Sequence, residues 1–182
     1  MARIRTTTLL ERKQAGDKIT ALTAYDFPTA RILDECEIDI VLVGDSCANN
    51  VMGLPDTLGI TMDEMVHHVK MVSRAVQHAL VVADMPFLSY QISPEEALRN
   101  AGRFIAEGGA QAVKLEGPAD RFDEAIRLIL NAGIPVMGHI GFTPQSVHQI
   151  GGYKVQGRGE EARARLREEA LALQEAGCFA LV

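Results

Sequence analysis

Five short apolar stretches of this 182-residue chain alternate with segments of helical spacing, and a sixth opens at its last residues. Val41-Leu42-Val43-Gly44, Leu80-Val81-Val82-Ala83 and Ala112-Val113-Lys114-Leu115 are the clearest of them. Short Val- and Leu-rich runs of this kind read as strands buried on both faces, the mark of a parallel sheet. Such a repeat calls for right-handed crossovers and helices packed on the sheet. Strands are expected over residues 19–24, 38–44, 80–84, 112–115, 135–138 and 178–182. Helices are expected over 8–14, from Pro28 to 35, from Thr61 to about 76, from Pro94 to 107, around 122–130 and over 160–176.

The helix starts carry their own signals. Thr61 with Glu64, and Ser93 with Glu96, have capping-box spacing, and Pro28 and Pro94 suit a first helical turn. Behind the first box, Met65, Val66, Val69, Val72 and Val76 mark a buried stripe. Gly108-Gly109 and Gly133 are helix stops.

Two architectures meet this pattern: an open doubly wound sheet and a (β/α)8 barrel. Length favours the open sheet, since a barrel typically needs about 250 residues. Yet no GxGxxG turn follows the first strand. Functional groups at the ends of nearly every strand suit the barrel better, because ligands gather at the C-terminal face of its strands. The chain would then be about three-quarters of one barrel domain spanning residues 1–182.

Three of the apolar stretches run into a carboxylate: Asp45, Asp84 and Glu116. A lone Asp after a strand usually caps the next helix. That reading fits poorly at Asp45, which is followed by Ser46 and a loop, and at Asp84, which is followed by Met85-Pro86. Carboxylates gathered in a partly closed site repel one another unless a cation is present. Mg²⁺ takes one or two carboxylates and fills its remaining positions with water and substrate oxygens. Lys114 and Glu116 lie two apart on one strand and therefore point to one side. Lys114 suits a substrate carboxylate as a point charge. His139, at the end of the fifth strand, reaches the same face. His67, His68 and His78 are expected in solvent.

Composition narrows the function classes. A formal charge of −6 leaves no basic footprint for nucleic acid, and no apolar run reaches membrane-span length. The basic N-terminus lacks the apolar core of a signal peptide. Three scattered cysteines make neither a disulfide framework nor a zinc pattern, which points to a reducing cytoplasm. Cys36 and Cys178 are expected in the core, and Cys47 packed beside the site.

Taken in order, Thr23-Ala24-Tyr25-Asp26, Leu42-Val43-Gly44-Asp45-Ser46, Ala83-Asp84-Met85-Pro86-Phe87 and Val113-Lys114-Leu115-Glu116-Gly117 are followed by Gly138-His139-Ile140-Gly141-Phe142-Thr143-Pro144-Gln145-Ser146. Gly151-Gly152-Tyr153-Lys154-Val155-Gln156-Gly157-Arg158 closes the series. This ordered set closely resembles the ketopantoate hydroxymethyltransferase family. The resemblance implies a (β/α)8 barrel of the phosphoenolpyruvate/pyruvate superfamily, assembled as a homodecamer. It implies transfer of a one-carbon unit from 5,10-methylenetetrahydrofolate to 3-methyl-2-oxobutanoate through Mg²⁺-stabilised enolate chemistry, on the route to pantothenate and coenzyme A. By the family pattern Asp45, Asp84 and Glu116 match the metal site. Asp45, Ser46, Asp84 and Lys114 match the oxo-acid contacts, and His139 lines the pocket. The family's general base is a glutamate just after the sixth strand, beyond Val182, so no residue of this chain takes that role. Another Mg²⁺-dependent 2-oxo acid enzyme of the superfamily, or a non-catalytic barrel fragment, are the competing expectations.

Overall fold

The computed structural model describes residues 2–152 and 154–182; Tyr153, in the glycine-rich segment, lies outside them. Six strands run β1 (Ala21–Thr23), β2 (Ile40–Val43), β3 (Leu80–Asp84), β4 (Ala112–Glu116), β5 (Val136–His139) and β6 (Ala180–Leu181). Every neighbouring pair is parallel, and the spatial order is the sequence order, β1 to β6. A doubly wound sheet reverses its strand order at a switch point; this one does not. The topology is that of a barrel wall, so the length argument for an open sheet gives way to strand order.

Eight α-helices accompany the strands among the described residues: α1 (Thr6–Ala15), α2 (Phe27–Glu35), α3 (Cys47–Asn50), α4 (Met62–Ala75), α5 (Pro94–Arg103), α6 (Ala119–Asn131), α7 (Val147–Ile150) and α8 (Glu160–Ala176). A single π turn, Phe104–Gly108, extends α5 before Gly109 stops it in the left-handed region. The glycine-rich stretch after β5 holds a 3₁₀ turn at Pro144–Ser146 and then α7.

Side-chain alternation divides the sheet into two faces. Val41, Val43, Val81, Ala83, Val113, Leu115 and Val136 face outward into the large core shared with α4, α5 and α6. Ile40, Leu80, Val82, Ala112 and Met137 face inward, where Ile4 and Leu9 join them. The first residues therefore floor the interior. The Ile4 amide donates to the His78 carbonyl (2.7 Å). Arg12 of α1 pairs with the buried Asp39, whose carboxylate also accepts from the Thr20 amide and hydroxyl (2.9 and 3.0 Å).

The capping box at Thr61 and Glu64 forms in both directions. At α5 only half of the expected box is present. The Ser93 hydroxyl accepts from the Glu96 amide (3.2 Å), while the Glu96 carboxylate is taken by Arg99 and Asn100. Cys36 is exposed rather than core, because it closes α2 at a turn whose next residue, Glu37, has φ +60°. Cys178 is partly buried and Cys47 fully so. His67 is exposed as expected, but His68 is half-buried with Nδ1 2.7 Å from the Tyr25 carbonyl oxygen, and His78 is half-buried too.

Candidate active site

The inward faces of β3, β4 and β5 deliver polar groups only at their C-terminal ends. Register sets Asp84 beside Lys114 and Glu116 beside His139. Lys114 and Glu116, two apart on β4, do point to one side: Lys114 Nζ is 2.8 Å from Asp84 Oδ2 and 3.7 Å from Glu116 Oε1. Asp45 follows β2 after Gly44, and its amide donates to Asp84 Oδ2 (3.2 Å). A β-carbon at Gly44 would stand 2.8 Å from Ser46 Oγ, so any larger residue in this turn would have to push that hydroxyl aside. One ligand oxygen from each of Asp45, Asp84 and Glu116 can be chosen so that all lie within 4.8 Å of one another, and all three residues are buried.

The helix-capping alternative belongs to a different aspartate. Asp26, after β1, accepts from the Thr29 amide (2.8 Å) and caps α2. Asp45 and Asp84 instead turn inward. Ser46 lies at the rim, where its hydroxyl meets that of Tyr25 (2.9 Å), and Asn50 donates to the same Tyr25 hydroxyl (2.9 Å). His139 is half-buried, with Nδ1 3.1 Å from Glu116 Oε1 and 3.4 Å from Lys114 Nζ.

Three acids and one ammonium out of water shape the titration of the cluster. Burial, reinforced by Asp45 and Glu116, pushes the Asp84 carboxyl up to about 7 against the pull of Lys114. Burial and Glu116 raise Asp45 also. Burial opposes the Lys114 charge, but Asp84, Glu116 and Asp45 outweigh it and hold the ammonium above its usual value. Burial likewise opposes ionised Glu116, yet His139 and Lys114 bring its carboxyl below the ordinary range. Beside the cluster, burial and then Glu64 push the Cys47 thiol up to about 11, as befits a packing residue rather than a nucleophile.

Asp84 Oδ1 is buried with no hydrogen-bond partner among the described residues. An orphaned carboxylate oxygen in such a place carries a desolvation penalty unless something else binds it. With Asp45 and Glu116 contributing hard oxygen donors beside it, the residues fit a small divalent cation such as Mg²⁺.

Two organising residues escape a sequence reading. Gln145 sits in the 3₁₀ turn, and its side-chain Nε2 donates to Asp45 Oδ2 (2.9 Å) and to the Met85 carbonyl (2.8 Å). Its backbone amide donates to Glu116 Oε2 (3.1 Å). Tyr90 is buried after β3, and its hydroxyl lies 2.8 Å from Gln145 Oε1 and accepts from the Glu116 amide (3.1 Å). Gln145 appears in the ordered motif set, but no period or spacing signals its role. Nothing around Tyr90 distinguishes it from a core aromatic.

The profile of the ketopantoate hydroxymethyltransferase family matches residues 3–182. The 3-methyl-2-oxobutanoate hydroxymethyltransferase of Thermoanaerobacter sp. (strain X514) is 57% identical over 180 residues, covering 99% of this chain and 65% of its own length. That of Syntrophomonas wolfei subsp. wolfei is 56% identical over 182 residues, covering 100% of this chain and 66% of its own. The chain thus spans about two thirds of the length of these relatives. Among solved structures, phosphonopyruvate hydrolase in complex with oxalate and Mg²⁺ superposes with a TM-score of 0.71 at 13% identity, covering 98% of this chain and 62% of that one. A 2,3-dimethylmalate lyase of the PEP mutase/isocitrate lyase superfamily gives 0.62 at 23%, covering 95% of this chain and 61% of that one. At such identities these two show the fold.

Proposed function

Because the chain belongs to the ketopantoate hydroxymethyltransferase family, we propose that its site serves transfer of a hydroxymethyl group from 5,10-methylenetetrahydrofolate to 3-methyl-2-oxobutanoate, giving 2-dehydropantoate. The observation that carries this reading is the buried set Asp45, Asp84, Glu116 and Lys114 at the mouth of the barrel, with Asp84 Oδ1 left unpartnered. Asp45 and Asp84 would hold Mg²⁺, with Glu116 as a third acidic group. When bound, the cation supplies Lewis-acid stabilisation of charge on the 2-oxo oxygen, on the order of several kcal/mol.

The other roles fall to the chain's own side chains. Lys114 faces the acids with an ammonium held charged, and is placed to meet the substrate carboxylate once that group enters. The Ser46 hydroxyl, steadied by Tyr25, offers a hydrogen bond at the rim. His139 Nδ1 holds Glu116 in place, and its largely buried ring sits at the same strand ends. The general base implied by the family pattern is a glutamate after the sixth strand, and none of these residues substitutes for it. Homodecameric assembly and a place in the cytoplasm belong to the same proposal. Among the described residues no helix is long and apolar enough to cross a membrane.

Solvent exchange tests the reading. In D₂O with Mg²⁺, the intact protein is expected to exchange the C3 proton of 3-methyl-2-oxobutanoate, followed by NMR, and to form 2-dehydropantoate when the folate is added. Absence of exchange sinks the transferase assignment and favours a binding role alone. Cleavage or hydrolysis of another 2-oxo acid in its place would move the site to the superfamily's other chemistries.

A further inference from the structure

The side chain of Gln145 is used at every position it has. Nε2 donates to Asp45 Oδ2 and the Met85 carbonyl, and Oε1 accepts from Tyr90 and from Gln91 Nε2 (3.0 Å). Turning the amide over would set its oxygen against two acceptors, so its orientation is determined by its neighbours. Together with its backbone amide on Glu116 Oε2, this one residue engages two of the three acids. It occupies one oxygen of each. Tyr90 locks the arrangement from behind, because its hydroxyl touches both Gln145 and the backbone of Glu116. Its ring is fixed edge-on against Phe122, with centroids 5.2 Å apart.

The third acid is treated alike by different groups. Asp84 Oδ2 accepts from Lys114 and from the Asp45 amide, and only Oδ1 is left over. Each carboxylate therefore has at least one oxygen engaged by the protein, and Glu116 has both, since His139 and Lys114 lie on its Oε1; none is free to grip an ion with two oxygens. Mg²⁺ takes single oxygens in an octahedron at about 2.0–2.1 Å, whereas Ca²⁺ accepts six to eight ligands, bidentate carboxylates included, at about 2.3–2.6 Å.

We propose that Gln145, held by Tyr90, is a positioning residue that ties down one oxygen each of Asp45 and Glu116 and so adapts the cluster to a small divalent cation. The inference rests on the cluster being a divalent-cation site. Removing the side-chain amide frees Asp45 to bind through two oxygens, which favours the larger ion.

Calorimetric titration of the intact protein with MgCl₂ alone and with CaCl₂ alone tests this. Gln145→Met keeps length and bulk but removes the side-chain amide that holds Asp45, leaving the backbone bond to Glu116 in place, and Tyr90→Phe removes one hydroxyl and keeps the ring. Gln149→Met, at an exposed position, serves as the control. Both test variants are expected to bind Mg²⁺ about tenfold or more weakly, with Ca²⁺ affinity held or improved, while the control matches the parent. Tyr90→Phe carries the test if Gln145→Met fails to fold. A Mg²⁺-to-Ca²⁺ preference unchanged in the folded variants overturns the positioning role and leaves the cation site standing. A parent that binds no Mg²⁺ overturns both. Melting temperature, read alongside, separates a purely structural role, which would lower stability without moving the preference.

Discussion

Asp84 is pulled in opposite directions by its surroundings. Burial raises its carboxyl to about 7, and Asp45 and Glu116 add to the rise while Lys114 opposes it. With the folded value above the unfolded one of 3.8, this group favours the folded state most at low pH. That contribution is lost as pH climbs through 7. In cation-free protein, Asp84→Asn should therefore gain stability relative to the parent between pH 5 and 8, a trend readable from urea melts. The same variant is expected to lose Mg²⁺ and 2-oxo acid binding with the fold kept; unchanged affinity by calorimetry would contradict its role. Lys114→Met leaves three buried acids without their ammonium. A loss of about 3–5 kcal/mol in EDTA is expected, with Mg²⁺ restoring more stability to the variant than it adds to the parent. The acids, the lysine and the histidine were legible because strand periodicity tells which side a residue faces and strand ends tell where chemistry gathers. Gln145 and Tyr90 were not, because their importance lies in bonds made across 100 and 55 positions of chain.

At the scale of elements, the turn from α4 into β3 depends on a side chain from elsewhere. Asp34 of α2 accepts from the amides of Gln77, His78 and Ala79 (2.9, 3.0 and 2.8 Å). Burial alone would raise its carboxyl, but the three amides outweigh it and hold it below the ordinary range. Its stabilising effect is therefore full above the unfolded value near 4 and disappears as pH falls through the folded one. Asp34→Ala is expected to cost about 1–3 kcal/mol at neutral pH, with the difference from the parent shrinking in acid; a pH-independent difference would contradict this account. Helix boundaries were readable where local chemistry decides them: the Thr61 and Ser93 caps and the Gly109 and Gly133 stops lie where spacing put them. Strand ends were less so. Residues 19 and 20 were expected in β1, which begins at Ala21, since pairing to β2 and not propensity sets its start. The Cys36 expectation failed for a related reason: an apolar residue at a helix end is core only if another element covers it.

For the whole molecule, sequential strand order decided for the barrel against a length that favoured the open sheet. Order depends on which strands meet, and nothing local encodes that. The sheet leaves β1 and β6 as edges among the described residues, with Leu22, Leu181 and Val182 exposed along them. Expressed by itself, this 182-residue chain should self-associate through these edges; sedimentation showing a stable monomer at tens of micromolar would refute that. The floor beneath the interior has a consequence in time. Ile4 and Leu9 are made well before β3, yet they share a core cluster with Leu80 and Val82, and the Ile4 amide donates to the carbonyl of His78. At about 5–20 residues per second of synthesis, the opening helix waits roughly 4–15 s for the strand that receives it. Throughout that interval Leu9 lacks the β3 side of the cluster it joins, so a segment made early is among the last to settle.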